Sequence, residues 1–528
     1  MSKNFANSGL RVCLVFPPNW NCTAGSPHLG LPCISAALAG MTNTTSLDLN
    51  HGFLSWAFGY PPGIPNTRCL DLESLNEPYF AFQDLLQASI GSSGEWVASE
   101  GLRLVGSPEC SSRKSLELAH SGSPFRKYIA EVGAPAILAS DPDIIGIGVP
   151  SLLQLYVAIE VAVVLRQQGF TGHITLGGNT ISRLYPELSS ADIFDTVDSL
   201  VVFEGEEPIR GLVKAIEQST PFELVSGLVT ENKQEPFNST TGRRKESLAD
   251  MWSTPQFDGL PVGRYWGCNY IPILAARGCY YGKCSFCAIP FGWGPNGFAG
   301  QRSAKRVYQD MLSLSELYGI YRFKFVDEAL PVPLMRELAR LILDGNVEFE
   351  WEGYTRLEKA FGDPEFARLL GQAGFRKGYF GVEILGSRNA LNKKDANDPL
   401  RIFENCSVHG IRGHCFCMFG YPGTTYADAV ATVDFLIKHS AVIDTADIFP
   451  WTYAKHTNVP QVKRIVTSDQ DWALEFDHEA IEPGVFSSSE IQRFVADLED
   501  RLWSEVPRML HPTYRMLSPW KAGLECIG

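Results

Sequence analysis

Short apolar runs alternate with helical periodicity along most of this chain. Residues 10–16 (LRVCLVF) stop at Pro17-Pro18, and a small-residue helix at 31–38 follows the turn around Gly30, giving a strand, a loop and a helix in succession. Further strands are expected at 46–50, 143–149, 174–176 and 199–203, with helices at 155–166 and 208–216. Strands apolar on both faces and spaced by helices predict a Rossmann-like, doubly wound parallel sheet. Ligands of such sheets lie beyond the carboxyl ends of the strands, which here are 17–28, 48–52, 150–152, 177–180 and 204–206. Residues 52–140 break the alternation and far exceed an ordinary connection of about 4–6 residues. They read as an insert, with helix-like pieces at 79–88 and 112–120.

After a polar, proline-containing linker at about 230–250, the alternation resumes. Helices are expected at 303–318, 333–344, 364–373 and 426–439, and strands at 322–326, 348–354, 378–384, 414–419 and 444–450. Repeated strand-helix units predict a partial or full parallel (β/α) barrel, whose chemistry sits where strands end. The residues there are Asp327, Glu328, Tyr354, Arg356, Glu383, 420–425 (GYPGTT) and Trp451. A mainly helical C-terminal region carries Trp472, Phe476, Phe486, Phe494, Trp503, Tyr514 and Trp520 at a spacing that reads as core, with a cover over the barrel mouth as the alternative. The expected division is 1–235, a linker at 236–259, 260–455, and 456–528.

Length and charge narrow the function. At roughly 100–200 residues per domain, 528 residues exceed one core. With 45 Lys+Arg against 59 Asp+Glu, the net charge is −14, which argues against a nucleic-acid-coating protein with a basic face. No secretory pattern precedes the first strand. The most apolar region, 137–165, is interrupted by Asp141, Asp143, Gln154 and Glu160, short of the ~20 apolar residues of a membrane span. A cytoplasmic protein with reduced thiols is the expectation.

Among 13 cysteines one group stands apart. Residues 275–290 read AARGCYYGKCSFCAIP and place Cys279, Cys284 and Cys287 on one short loop. Three thiolates face a single point only if the backbone folds back tightly, which Gly278 and Gly282 permit. A structural zinc site needs a fourth ligand, for which Cys268 is the nearest candidate. Three ligands alone leave one metal position open, as on a four-iron cluster that presents one iron to a cosubstrate. Three uncommitted thiols are the remaining reading, and Cys415 and Cys417 are worth following for proximity.

The segment RGCYYGKCSFC, followed by FKFVDEA, FGVEILGS and FGYPGTT, resembles the radical S-adenosylmethionine (SAM) enzymes over about residues 260–455. In the first half VFPPNW, HLGLPCISAAL, PDIIGIGVPS, ITLGGN and VVFEGEEP, in that order, resemble the cobalamin-binding domain often fused in front of them. The resemblance implies that Cys279, Cys284 and Cys287 hold a [4Fe–4S] cluster whose fourth iron is chelated by SAM. It places Phe286 near the adenine, Asp327 and Glu328 at the methionine amine, Glu383 against SAM, and Gly420, Pro422 and Gly423 along the adenine side. It also implies that Ser151, Leu152, Gly177, Gly178, Asn179, Glu204 and Gly205 surround cobalamin and its nucleotide tail.

Two departures from the family pattern matter. Four residues, against the commoner three, separate Cys279 from Cys284. The Asp-x-His-x-x-Gly motif that supplies a histidine beneath cobalt is absent, Asp48-Leu49-Asn50-His51-Gly52 being spaced differently. His28 and His51 therefore read as ordinary loop histidines, with cobalt ligation as the alternative. The chemistry implied is that of a C-methyltransferase. The cluster reductively cleaves SAM, the resulting deoxyadenosyl radical takes hydrogen from an unactivated carbon, and methylcobalamin supplies the methyl group. A peptide or other natural product is the implied substrate, and an external low-potential donor supplies electrons. The alternatives are rearrangement, cyclisation or oxidation without methyl transfer, and a non-catalytic zinc or iron-sulfur binding module. The insert is a candidate recognition element.

Overall fold

The structure, a computed structural model, describes residues 9–18, 26–58, 96–98, 102–104, 107–236, 253–265, 270–293, 298–393 and 398–510. The expected helix at 79–88, most of the linker, Cys268, Tyr514 and Trp520 lie outside them.

Strands β1 (Arg11–Phe16), β2 (Asn43–Asp48), β5 (Ile144–Gly148), β6 (His173–Gly177), β7 (Ser199–Val201) and β8 (Leu228–Val229) make the front sheet, in the order β2-β1-β5-β6-β7-β8. A separate hairpin pairs β3 (Trp96–Ala98) with β4 (Leu102–Leu104). All front-sheet pairs are parallel except β7 with β8. With the hairpin left out, the five parallel strands have the 2-1-3-4-5 order of a doubly wound sheet, with the antiparallel β8 added at the far edge, and the ligand crevice opens where the winding reverses, between β1 and β5.

The buried stretch Val12–Phe16 explains why β1 lies inside the sheet, flanked by β2 and β5. The polar β2, by contrast, sits at its edge and stops at Asp48, whose carboxylate accepts the His51 N–H at 2.9 Å and caps the helix Leu49–Phe58. The strand expected at 46–50 is therefore shifted toward the N-terminus. The helix Leu155–Gln167 is buried from Leu155 to Leu165 because the last part of the expected insert covers its outer face. There the fully buried Glu160 accepts the Ser123 N–H at 2.9 Å and pairs with Arg126 at 3.0 Å. Residues 107–140 thus form part of the front layer. The helix Asn179–Leu188 has no counterpart in the sequence reading; its polar residues and Pro186 mask an amphipathic face that buries Ile181, Leu184 and Leu188.

The second sheet is wholly parallel. It runs β16 (Thr445–Pro450), β15 (Arg412–Phe419), β14 (Phe375–Glu383), β13 (Glu350–Thr355), β12 (Arg322–Phe325), β9 (Ile271–Ile273). The edge strands β16 and β9 do not pair with each other, so the barrel is partial. A helix at Pro399–Val408, absent from the sequence reading, restores the alternation between β14 and β15; it opens on a proline with Asp398 as its N-cap. β10 (Ala276–Gly278) and β11 (Phe298–Gln301) form an antiparallel pair flanking the cysteine loop.

Beyond the barrel, β17 (Tyr453–Ala454) pairs with β19 (Glu475–Phe476) and β18 (Val462–Arg464) with β20 (His478–Ala480), so the C-terminal region contains more strand than expected. Its helix Ser488–Glu505 starts at a capping box of Ser487 and Glu490. Trp472 and Phe476 are buried, Phe486 and Phe494 pack on the barrel core, and Trp503 is exposed. Trp472 and Leu474 belong to the core of the front sheet, and the Trp472 N–H donates to the Cys110 carbonyl at 2.9 Å. Among the described residues no helix is long and apolar enough to cross a membrane.

Inside the barrel, charged and aromatic side chains replace an apolar core. Lys324 pairs with Glu352 at 3.2 Å, and the fully buried Lys377 pairs with Asp444 at 3.2 Å. Replacing Asp444 by Ala leaves the Lys377 ammonium buried beside weaker partners, at an expected loss of roughly 3–5 kcal/mol and a fall in Tm of roughly 6–20 °C. Adding Lys377→Met should recover most of that loss. Identical thermal unfolding of Asp444→Ala and the unaltered chain would contradict a buried ion pair.

Candidate functional site

The cysteine loop leaves β10 through Gly278 at φ 80° and turns again at Gly282, φ 57°. Both angles lie in the left-handed region where a side chain is disfavoured. Cys279, Cys284 and Cys287 are half-buried and free of disulfides. The segment after β14 pins the loop from outside. The Ser285 N–H donates to the Leu391 carbonyl at 3.2 Å, Asn392 Nδ2 to the Lys283 carbonyl at 2.7 Å, and Tyr281 Oη to the Asn392 carbonyl at 2.6 Å. From β13 and its following turn, Tyr280 Oη donates to Glu358 at 2.8 Å while the Arg356 guanidinium lies 3.6 Å from the Tyr281 ring centroid.

Burial pushes the Cys284 thiol up to about 11, against the pull of Lys393 and Arg356, and the Cys287 thiol up to about 12, with Cys284, Glu328 and Cys279 adding to the shift. These thiolates need a cation among them to persist together at neutral pH. Among the described residues no three His, Cys, Asp or Glu side chains close on a single ion. A cluster makes no such demand, since each thiolate binds a different iron.

Of the carboxylates expected around SAM, Asp327 is buried, and its carboxylate accepts the backbone N–H groups of Ala275 and Ala276. It braces the chain where it enters the cysteine loop. Burial, opposed by those bonds, raises its pKa to about 7. Glu328 is exposed and acts on Cys287. Glu383 ends β14 at φ 59°, a conformation rare for a buried non-glycine residue and characteristic of functional sites. It pairs with Lys393 at 2.7 Å, and Lys393 also donates to the Gly381 carbonyl at 2.7 Å. Lys393 escaped the sequence reading because nothing in LNKKDAND marks one lysine as buried.

Phe286 is half-buried and meets Tyr421 edge-on at 6.4 Å. Pro422 is buried and Gly423 exposed, while a side chain on Gly420, at φ 91°, would strike Ile491 of the C-terminal helix. That loop is thus shaped by the C-terminal region as well as by the barrel.

At the front sheet, the loops after β5 and β6 are stitched together. The Val149 N–H donates to the Gly177 carbonyl at 2.7 Å, and the Thr180 N–H to the Val149 carbonyl at 3.2 Å. A Cβ on Gly178 would stand 2.8 Å from the Val149 oxygen, so only glycine fits. Gly178 and Asn179 are exposed and Ser151, Leu152, Gly177, Glu204 and Gly205 half-exposed, forming an open cradle. Beside it, Gln154 Oε1 and Thr180 Oγ1 are buried without partners.

His28 faces solvent and stacks on Phe16 at 5.2 Å. Its Nδ1 accepts the Gly30 N–H at 3.2 Å. His51 Nε2 donates to the Arg264 carbonyl at 3.3 Å.

Arg277, two residues before Cys279, joins the two halves of the site. Its guanidinium is buried and makes paired bonds to Glu206, one of them 3.0 Å, and reaches Glu204 at 3.2 Å, both at the end of β7. Nearby, Phe203 of the front sheet lies 6.2 Å from Phe291, on the short helix Ile289–Trp293 after the cysteine loop. The cysteine loop and the crevice of the front sheet therefore open on one seam.

Solved structures share this architecture. The radical SAM methyltransferase TsrM from Kitasatospora setae, with cobalamin and a [4Fe–4S] cluster bound, superposes with a TM-score of 0.63 at 16% identity over 96% of this chain and 91% of TsrM. TsrM with tryptophan substrate and the SAM analogue aza-SAM gives 0.61 at 16% identity over 92% and 88%. The cobalamin-dependent SAM radical enzyme OxsB, with aqua-cobalamin and SAM bound, gives 0.54 at 14% identity over 93% of this chain and 56% of OxsB, so the chain spans little more than half of that protein. No protein-family profile and no curated protein sequence matches the chain. The chain has the fold of these proteins, a Rossmann-like sheet followed by a partial barrel.

Two measurements check the site. Arg277→Met leaves Glu206 without its partner and should cost roughly 3–5 kcal/mol of stability; Arg277→Lys recovers only part, since a lysine cannot make the paired bonds. An unchanged Tm in Arg277→Met would refute the clamp. Because the folded Asp327 holds its proton up to about pH 7 while the unfolded group releases it near 3.8, its contribution to stability declines as pH rises between those values. Comparing the unaltered chain with Asp327→Asn across that range should isolate this slope, and parallel curves would argue against it.

Proposed function

We propose that the chain is a cobalamin-dependent radical SAM C-methyltransferase acting on an unactivated carbon of a small-molecule or peptide natural product. The observation that carries the reading is the shared seam: a three-cysteine loop at the mouth of an open parallel barrel, fastened by Arg277 to the ligand end of a second, doubly wound sheet. In this reading residues 1–235 serve cobalamin and 260–455 serve SAM.

Cys279, Cys284 and Cys287 would hold the cluster, and Cys279 through Cys287 form the only part of this surface with three thiols among the described residues. The donor set fits, since desolvation penalises the free thiolates and iron ligation would offset it, while Lys393 and Arg356 favour the thiolate form. Ser151, Leu152, Gly177, Gly178, Asn179, Glu204 and Gly205 would surround cobalamin, and the unpartnered Gln154 and Thr180 atoms beside the cradle fit a polar ligand there. When bound, the cluster supplies the electron that cleaves SAM, and cobalamin carries the methyl group.

The protein's own residues position and shield. Asp327 fixes the entry to the loop, Glu383 and Glu328 present carboxylates on its barrel side, and Phe286, Gly420, Pro422 and Gly423 shape the wall toward the C-terminal helix. The tryptophan named as the TsrM substrate favours an acceptor of amino-acid size. A low-potential electron donor must come from outside the chain.

The test is anaerobic reconstitution. The holoprotein should be brown, absorbing near ~400 nm, should bind cobalamin, and should form deoxyadenosine and transfer the labelled methyl group of SAM to product. Cys279→Ala, Cys284→Ala or Cys287→Ala should each lose the colour and both products. A colourless zinc protein, or one that yields neither deoxyadenosine nor methylated product, would sink the proposal. Deoxyadenosine without label in product would point to rearrangement, cyclisation or oxidation.

A further inference from the structure

Arg277, Arg356, Lys393 and Lys455 surround the cysteine loop and its seam, and each has a carboxylate within ion-pair distance: Glu206 and Glu204, Glu358, Glu383 and Glu187 respectively. Arg183 stands in the same seam without one. Among the described residues no Asp or Glu side chain pairs with it, its Nε is buried without a hydrogen-bond partner, and its Nη2 reaches only the Leu474 carbonyl, at 3.5 Å. Glu475 is near enough to favour its charge without forming an ion pair, and its carboxylate accepts from Thr452 at 3.1 Å.

The placement of this arginine is specific. It sits on the helix Asn179–Leu188, which starts at the front-sheet cradle and abuts the helix after the cysteine loop, where Asn179 Oδ1 approaches Gly292. Cys287 is near enough to act on its charge. Its backbone carbonyl accepts from His456 Nε2 at 2.9 Å, and the His456 ring lies flat on Phe291 at 3.5 Å. A guanidinium remains charged throughout the working pH range, and holding one half-buried with no acid in ion-pair contact, only Glu475 acting from further off, is costly. A planar carboxylate matches its fork of donors, and Phe291, Phe203 and His456 offer ring surfaces to an apolar or aromatic body.

We propose that Arg183 anchors the carboxylate of an acceptor substrate, an aromatic or apolar amino-acid-sized acid, in the seam between the two cofactor sites. The inference rests on the function proposed above. Two other oxyanions are present in that function, the methionine carboxylate of SAM and the phosphate of cobalamin, and the test separates them from the acceptor.

The test uses holoprotein whose cluster and cobalamin have first been verified by absorbance, so that a failed function is recognised before the inference is tried. Equilibrium binding of L-tryptophan is compared with that of tryptamine, which lacks only the carboxylate. The unaltered protein should prefer tryptophan by ~10–100-fold, the worth of a charge-assisted pair. Arg183→Gln should abolish the preference, Arg183→Lys should keep part of it, and cluster spectrum, SAM affinity and cobalamin affinity should stay as they were. Equal binding of the two ligands, or binding of neither, by the unaltered holoprotein overturns the proposal. So does an Arg183→Gln variant that loses affinity for SAM or for cobalamin while its tryptophan preference persists.

Discussion

The structure depends on the buried pairing of Arg277 with Glu206 and Glu204. These residues come from different sheets and are separated by 71 and 73 positions in the chain, yet they meet two residues from Cys279. A bidentate guanidinium-carboxylate pair fixes orientation as well as distance, so it holds the cysteine loop in register with the ligand end of the front sheet. If the two sites hold groups that react together, as proposed, their separation must be set within a fraction of an ångström. A flexible connection between two independently folded units would not provide that.

Charge around the loop follows from the same geometry. Three thiolates on one turn repel each other, and burial adds to the cost of ionising them. The protein places Lys393 and Arg356 beside them, but ties each to its own carboxylate, Glu383 and Glu358. The loop thus has a nearly neutral polar surround. Glu383 accepts a left-handed backbone to make its pair, and Gly381 has no side chain because Lys393 and Glu383 occupy that space. Strain of this sort persists only where the surroundings hold it in place.

Much of this was legible in the sequence. Strands such as β1 and β5 are short, apolar and flanked by turn residues, and the cysteine spacing marks its own loop. What the sequence concealed has physical reasons. The helix Pro399–Val408 opens with a proline that looks like a terminator, Asn179–Leu188 carries Pro186 and a polar surface, and β9 is three residues long with a proline at its centre. Asp327 is a site carboxylate by its position in the sequence, and only the fold shows that it also braces the cysteine loop by accepting two backbone N–H groups. Lys393 and Arg183 could not be singled out, because their character lies in which distant groups they meet or fail to meet.

The C-terminal region adds a second fastening on the opposite side of the seam. Trp472 and Leu474 bury themselves in the front-sheet core, Lys455 pairs with Glu187 at 2.6 Å, and Lys114 pairs with Asp469 at 2.8 Å, while the helix Ser488–Glu505 packs against β16 and forces glycine at position 420. One segment therefore touches the front sheet, the barrel and the loop beside Phe286. With Arg277 at one side and this strap at the other, the two sheets cannot swing apart without breaking buried pairs and exposing an indole. Access to the seam must then come through loops at its rim, past the side chains that face it.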